Sequence, residues 1–318
     1  MNRALKTTMI SVASSAALAG GAFAADPAPV IPLPIVAAPE QRCETVGYVD
    51  AYVGAGFGRE FDPGFRDQEL RWVDLAYGGA GRASIQCAPR FSMQLDAWAD
   101  HWSGIYNTFY QGSPINEPQY FERTTMGVGT HLTFHTGNLQ VGPLMSVGTV
   151  AGWGTFANIG IEAAFNTSNL RLDAQAGFTT AVFGPAVGDA ARDIYAQVGA
   201  TFYPTPNFSI GANVGVDFFN DARPWYRRTL SWGAKIEFSP QALPIAFYAG
   251  YEGWHSGAGF DTAFDDLYDW EHNFRLGLRF MVGAETLREL DEAVGLIDEN
   301  PIYGQAFGPT YFDLFNIN

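Results

Sequence analysis

"IYAQVGATFYPTPNFSIGANVGVDFF", from Ile194 to Phe219, holds two alternating runs separated by Pro204-Thr205-Pro206. In the first, Ile194, Ala196, Val198, Ala200 and Phe202 share one parity, against Asp193, Tyr195, Gln197, Gly199 and Thr201. In the second, Phe208, Ile210, Ala212, Val214, Val216 and Phe218 oppose Ser209, Gly211, Asn213, Gly215 and Asp217. A period of two predicts extended strands whose two faces meet different surroundings. The same hairpin fits a soluble sheet with its apolar side inward, or a membrane barrel with its apolar side turned to lipid.

Outward from this hairpin the pattern repeats. Twelve strands are predicted, near 46–58, 75–87, 91–101, 124–136, 139–149, 155–167, 169–182, 193–203, 207–219, 228–239, 243–254 and 272–283. "TMGVGTHLTF", "NLRLDAQAGFTTAVF", "TLSWGAKIEF" and "FRLGLRF" all set bulky apolar residues against Arg, Asp, Gln, His, Lys, Glu, Thr or Gly. Many of these runs exceed the five or six residues of an ordinary strand and reach the nine to eleven that a membrane crossing needs. The links alternate as well. "APR", "TGN", "TSN", "PTP" and "PQA" are tight, whereas "REFDPGFRDQELRWVD", "WSGIYNTFYQGSPINEPQYFER" and "HSGAGFDTAFDDLYDWE" are long. Short turns at one end and long loops at the other describe an outer-membrane barrel with the turns in the periplasm. A sandwich has no reason to sort its loops by parity, and a soluble core would have to pair every inward polar group.

The ends of the chain agree. "MNRALKTTMISVASSAALAGGAFAADPAPV" has basic Arg3 and Lys6, a short apolar stretch from Met9 to Leu18 and small residues before Ala25. It reads as a secretory signal peptide, residues 1–24, cleaved after Ala24. A proline-rich spacer, 25–45, follows, with Pro27, Pro29, Pro32, Pro34 and Pro39. The barrel is expected over 46–283 and a periplasmic extension over 284–318. No later stretch is long and apolar enough for a membrane helix. The 36 glycines, the 15% aromatic share and the 16% charged share also fit a barrel. The formal net charge is −15, two units more negative after cleavage. That excess argues against nucleic acid and for attraction of cations. Cys43 and Cys87, an even pair in an exported chain, predict one disulfide at the periplasmic rim of the first hairpin.

With signal, strands, loop parity and aromatic strand ends together over 1–283, the chain resembles the outer-membrane β-barrel proteins of Gram-negative bacteria, broadly the porin-like group. "NFRLGLRF" is similar to that group's closing-strand signature, here ending at Phe280. The resemblance implies recognition by the barrel-assembly machinery and residence among outer-membrane lipid. The chain departs from the group by continuing past Phe280.

The fold class expected is therefore all-β, an up-and-down antiparallel transmembrane barrel of about twelve strands. Its lumen candidates are Arg82, Asp96, Asp100, Arg171, Asp173, Asp193, Asp217, Lys235, Glu237, Glu252, Arg275 and Arg279. They line a pore selective for ions or small hydrophilic solutes, with cation preference, or they pair across strands and seal a barrel that anchors surface loops. Gly177, Gly199, Gly211 and Gly215 lean toward an open or loop-filled interior. The aromatic loop with Tyr106, Phe109, Tyr110, Tyr120 and Phe121 either folds inward or stands on the surface.

A third reading, a lipid hydrolase at the outer rim, rests on His255 and Ser256. Adjacent strand residues point to opposite faces, which works against it. Asp261, Asp265, Asp266, Asp269 and Glu271 form an acidic loop whose spacing matches no calcium motif. His131 and His135 are too far apart on one strand face for one metal ion and read as lumen polar residues, and His101 stands alone. No cofactor is expected. "AETLRELDEAVGLIDEN" reads as a short acidic helix with Leu287, Leu290, Val294 and Ile297 on one face. With the aromatic residues after it, this tail is expected to pack on the barrel, as a plug in its mouth or a dock for a periplasmic partner.

Overall fold

The computed structural model describes residues 43–62, 68–88, 90–110, 113–114, 117–150, 154–183, 190–220, 225–241, 243–260 and 267–293. The signal peptide, nearly all of the spacer, residues 294–318 and the side chains of Asp193, Asp261, Asp265, Asp266 and Asp269 lie outside that description. The strands are β1 (Glu44–Asp62), β2 (Gln68–Ala88), β3 (Phe91–Tyr110), β4 (Ser113–Pro114), β5 (Gln119–Thr136), β6 (Leu139–Val150), β7 (Gly154–Asn166), β8 (Leu170–Phe183), β9 (Ala190–Thr205), β10 (Phe208–Asn220), β11 (Trp225–Phe238), β12 (Ile245–Phe260) and β13 (Leu267–Val282). One helix, α1 (Leu287–Ala293), follows.

Every pairing is antiparallel. Twelve strands run in ring order, β1 meeting β13 on one side and β2 on the other, and β2 meeting β3. The two-residue β4 only extends the edge of β3. The ring is closed, so each of its twelve strands is paired on both sides.

The alternation then decides which side faces what. Val53, Leu75, Val128, Ile161, Val198, Leu276 and Phe280 stand on the outside and are exposed. On the inside, Gln94, Thr133, Glu162, Gln197, Glu237 and Asn273 are buried. An apolar exterior around a polar interior inverts a soluble protein and matches a barrel that spans a membrane. Burying polar groups costs free energy unless they are paired, and the walls of the lumen supply many of the pairs.

The strands run further than expected at the long-loop end. β2 has 21 residues, about 70 Å of chain at the usual rise and well beyond an apolar belt of about 25 Å. Residues read as loop therefore lie in ladders. Tyr106, Phe109 and Tyr110 belong to β3, and Tyr120 and Phe121 to β5, with Tyr106 in register with Gln119. The aromatic segment is thus neither an inward constriction nor a free loop over these residues. Its alternation persists past the membrane, and backbone pairing continues with it.

The short-turn end is as expected. Gly137, at φ 60°, makes the β5–β6 turn. Cys43 and Cys87 are joined, one position beyond the Glu44–Gln86 pair, and pin the first hairpin. After β13 the chain turns at Gly283, with φ 76°. A Cβ there would lie 2.3 Å from the Thr45 carbonyl oxygen, so only glycine makes this turn without displacing β1.

Candidate functional site in the barrel lumen

The site is the inner surface, where the wall strands place charged side chains in two groups. On the first wall, Arg82 of β2 is in register with Asp96 of β3 and donates from Nε to its Oδ1 at 2.8 Å. His131 of β5 places Nε2 2.6 Å from Asp96 Oδ2 and Nδ1 2.7 Å from Glu162 Oε1 of β7. Two carboxylates on one imidazole suit an imidazolium, in which both ring nitrogens donate. Gln94 donates to both Asp96 oxygens, at 3.1 and 3.2 Å. The cluster ties four strands together, and Arg82, Asp96, His131 and Glu162 are all buried.

On the second wall, Arg279 of β13 reaches Glu237 of β11 at 2.9 Å and Asp50 of β1 at 3.3 Å. Its guanidinium lies 4.0 Å from the centre of the Tyr48 ring. Lys235 adds a 2.9 Å contact to Glu237. Toward the long-loop end, Arg275 pairs with Glu252 at 3.0 Å and lies over Tyr52, which donates from its hydroxyl to Asp100 at 2.6 Å. Arg123 of β5 lies over Trp102, 5.5 Å from the ring centre.

The predicted lumen residues are where the alternation put them. Arg82, Asp96, Asp100, Arg171, Asp173, Asp217, Lys235, Glu237, Glu252, Arg275 and Arg279 all have the inward parity of their strands. Sequence reading missed Asp50, Asp74, Arg123 and Glu162 as members. It placed His131 in the lumen without its partners and Glu271 in a loop, whereas Glu271 faces inward from β13 and is buried. Parity on β1, β2, β5, β7 and β13 carries the signal for all of these. Among the described side chains, the inward carboxylates Asp50, Asp74, Asp96, Asp100, Glu162, Asp173, Asp217, Glu237, Glu252 and Glu271 outnumber the inward cations Arg82, Arg123, Arg171, Lys235, Arg275 and Arg279.

At Gly177 and Gly199, two of the four glycines read as room in the lumen, a neighbouring side chain takes the space. A Cβ on Gly177 would lie 2.4 Å from the Tyr195 hydroxyl, and one on Gly199 2.4 Å from an Asp173 oxygen. Trp98 covers Gly127 and Phe156 covers Gly148 in the same way. At Gly127, Gly148 and Gly177 the gap admits a large aromatic side chain from a neighbouring strand. Tyr195 and Phe156 are almost wholly buried as a result.

His255 and Ser256 stay on opposite faces because β12 runs through both without a break. His255 stacks outside on Trp270, with ring centres 4.1 Å apart, and Ser256 shares a 2.9 Å hydrogen bond inside with Thr229. His101 is not alone: Nδ1 lies 2.9 Å from the Thr124 hydroxyl and the ring packs on Tyr77.

At the short-turn end α1 crosses the mouth. Leu287 and Leu290 are fully buried with Tyr48 of β1, Ala246 of β12 and Met281 of β13. The other side of the helix meets the opposite wall. Tyr203 of β9 donates to Asp291 Oδ2 at 2.6 Å, Arg171 of β8 donates to the Asp291 carbonyl, and Gln140 of β6 donates to the Glu292 carbonyl at 2.6 Å. Arg288 donates from its side chain to the Ser168 carbonyl and from its backbone to that of Pro206, at the β7–β8 and β9–β10 turns. Strands β1 and β8 stand opposite in the ring, so these contacts span the lumen. The described part of the tail, residues 284–293, therefore packs on the barrel from inside its mouth, and the aromatic residues after it lie outside the described residues. Burial, reinforced by the nearby Glu237 carboxylate, pushes the Asp291 carboxyl above its ordinary range.

No protein-family model matches the chain, and no curated protein matches it. Solved structures do. An outer membrane channel from Pseudomonas putida F1 is 10% identical, over 72% of this chain and 95% of that one, with a TM-score of 0.45. The β-domain of the Bordetella autotransporter BrkA is 11% identical, over 74% and 100%, with a TM-score of 0.44. The KdgM porin, in complex with disordered oligogalacturonate, is 7% identical, over 71% and 98%, with a TM-score of 0.34. These likenesses are to barrel architecture, and no residue role is taken from them.

Proposed function

We propose that this protein is an outer-membrane channel of narrow bore, passing small hydrophilic solutes or ions passively and favouring cations. The supporting observation is the lumen itself. It carries many buried charged and polar side chains, among aromatic ones, inside a closed barrel with an apolar exterior, and its described carboxylates outnumber its described cations. An excess of fixed negative charge in a confined path concentrates cations and excludes anions. On this reading the chain is exported by residues 1–24, is folded by the barrel-assembly machinery, and carries no catalytic residue and no cofactor.

A second reading, a sealed barrel that anchors surface loops, draws on a specific feature: Arg82, Asp96, Glu162, Glu237 and Arg279 are buried and paired. Single-channel recording of the refolded mature protein in a planar bilayer, under a salt gradient, separates the two. The channel reading expects discrete current steps and a reversal potential of the sign for cations. A silent bilayer, with the folded barrel verified by heat-modifiable gel mobility, would favour the sealed reading. Steps with the anion sign would keep the channel and remove its cation preference.

A further inference from the structure

We propose that α1 is a releasable plug, latched across the short-turn mouth by Asp291 and seated by Leu287 and Leu290, and that its release sets the conductance of the barrel. This inference rests on the channel reading above and adds regulation to it.

The seat and the latch differ in kind. Leu287 and Leu290 enter a small apolar recess of Tyr48, Ala246 and Met281 on one wall. Those two side chains are the helix's fully buried apolar contribution, so the seat is modest. The latch on the far wall is polar, made by Tyr203, Arg171 and Gln140 on the last turn of α1. The helix is closed on itself as well. The Thr286 hydroxyl accepts the Glu289 N–H at 3.1 Å, the Glu289 carboxylate accepts the Glu285 N–H at 2.8 Å, and Arg288 pairs with Glu292 at 2.7 Å. A unit with its own cap can leave the mouth without unfolding the wall, because it contributes nothing to the barrel's ladder of strands. Gly283 gives it a pivot at the end of β13.

The latch also gives the plug a pH dependence of definite sign. Asp291 faces Glu237 and Lys235 of β11, Arg171 of β8, Tyr203 of β9 and Arg279 of β13. Its carboxyl is raised in the docked state and ordinary in water, so docking takes up protons. That contribution is fully present at pH below the ordinary aspartate range and is lost as pH rises through the docked value. Raising the pH through the docked value therefore favours release.

The test is single-channel recording of the full-length mature chain and its Leu287→Glu/Leu290→Glu variant, each checked for heat-modifiable mobility. The expected result is a wild type that is mostly closed and a variant with an open fraction roughly tenfold higher or more, since two buried leucines are lost. The wild-type open fraction should rise with pH, and Asp291→Asn should flatten that rise. Equal conductance and open fraction in both proteins would overturn the plug and leave the channel standing. Silence from both would overturn the channel reading and the plug with it. If the double variant does not fold, Tyr203→Phe, which removes one latch hydroxyl and keeps the wall packing, is judged by the same outcomes.

Discussion

The two faces of β13 are built from adjacent residues and obey different rules. Outside, Phe274, Leu276, Leu278, Phe280 and Val282 each expose about half or more of their surface. Each gains from lipid by itself, and any bulky apolar residue serves. Inside, Arg275 and Arg279 face the lumen, and each depends on a partner from another strand. The outer face is satisfied by its solvent and the inner face only by the other walls. Substitutions outside should therefore scale with polarity, and substitutions inside with the number of partners left behind.

Asp96→Ala should have the largest effect. It leaves Arg82 and His131 buried without the carboxylate between them, at a cost of about 3–5 kcal/mol. Urea unfolding in lipid vesicles, followed by tryptophan fluorescence, measures it. A change close to zero would mean that water reaches this wall and that the contrast between the faces is weaker than described.

Leu276→Arg tests the other face. Leu276 is 65% exposed near the middle of the apolar outside, where a charge in the bilayer costs about 2–4 kcal/mol. Unfolding in the same vesicles should show that loss. An Arg tolerated without loss would break the assignment of this face to lipid.

Gly177→Val asks how tightly the interior is filled. The new side chain meets the Tyr195 hydroxyl, and overpacking of this kind costs about 1–3 kcal/mol. Adding Tyr195→Ala should recover part of the loss, and additivity of the two would show that they do not share the space.

The smallest effect is expected of Lys235→Ala. Its side chain is 31% exposed and Glu237 keeps Arg279, so the change should stay under about 1 kcal/mol. A loss as large as that of Asp96→Ala would place Lys235 among the buried pairs.

Legibility followed the same division. The outward parity of Ile194, Val198 and Phe202 was readable because lipid asks one question of every second residue. The inward set was readable as a parity and not as pairs. Nothing near His131 in the chain announces Asp96 and Glu162, because three separate strands and the stagger of the barrel bring them together. Gly177 shows the same limit of local reading. Gly177 alone suggests room, and only its neighbour Tyr195 shows the room taken. Helix α1 was readable as a helix, and Thr286 followed by Glu289 is a capping signal that marks its start. Its place across the mouth was open between plug and dock, since that depends on which turns of the closed ring come within reach of Arg288 and Asp291.

By itself, the sequence determined strand number, the side of each strand that meets lipid, the disulfide and the end at which the chain finishes. The disulfide follows from an even cysteine pair in an exported chain, and the rest from period-two alternation and turn chemistry, which are local. Tertiary structure alone decided which charges pair, which side chains fill the gaps at Gly127, Gly148 and Gly177, and that α1 lies across the mouth. These depend on strand register summed around a closed ring, and no local stretch of chain contains that sum.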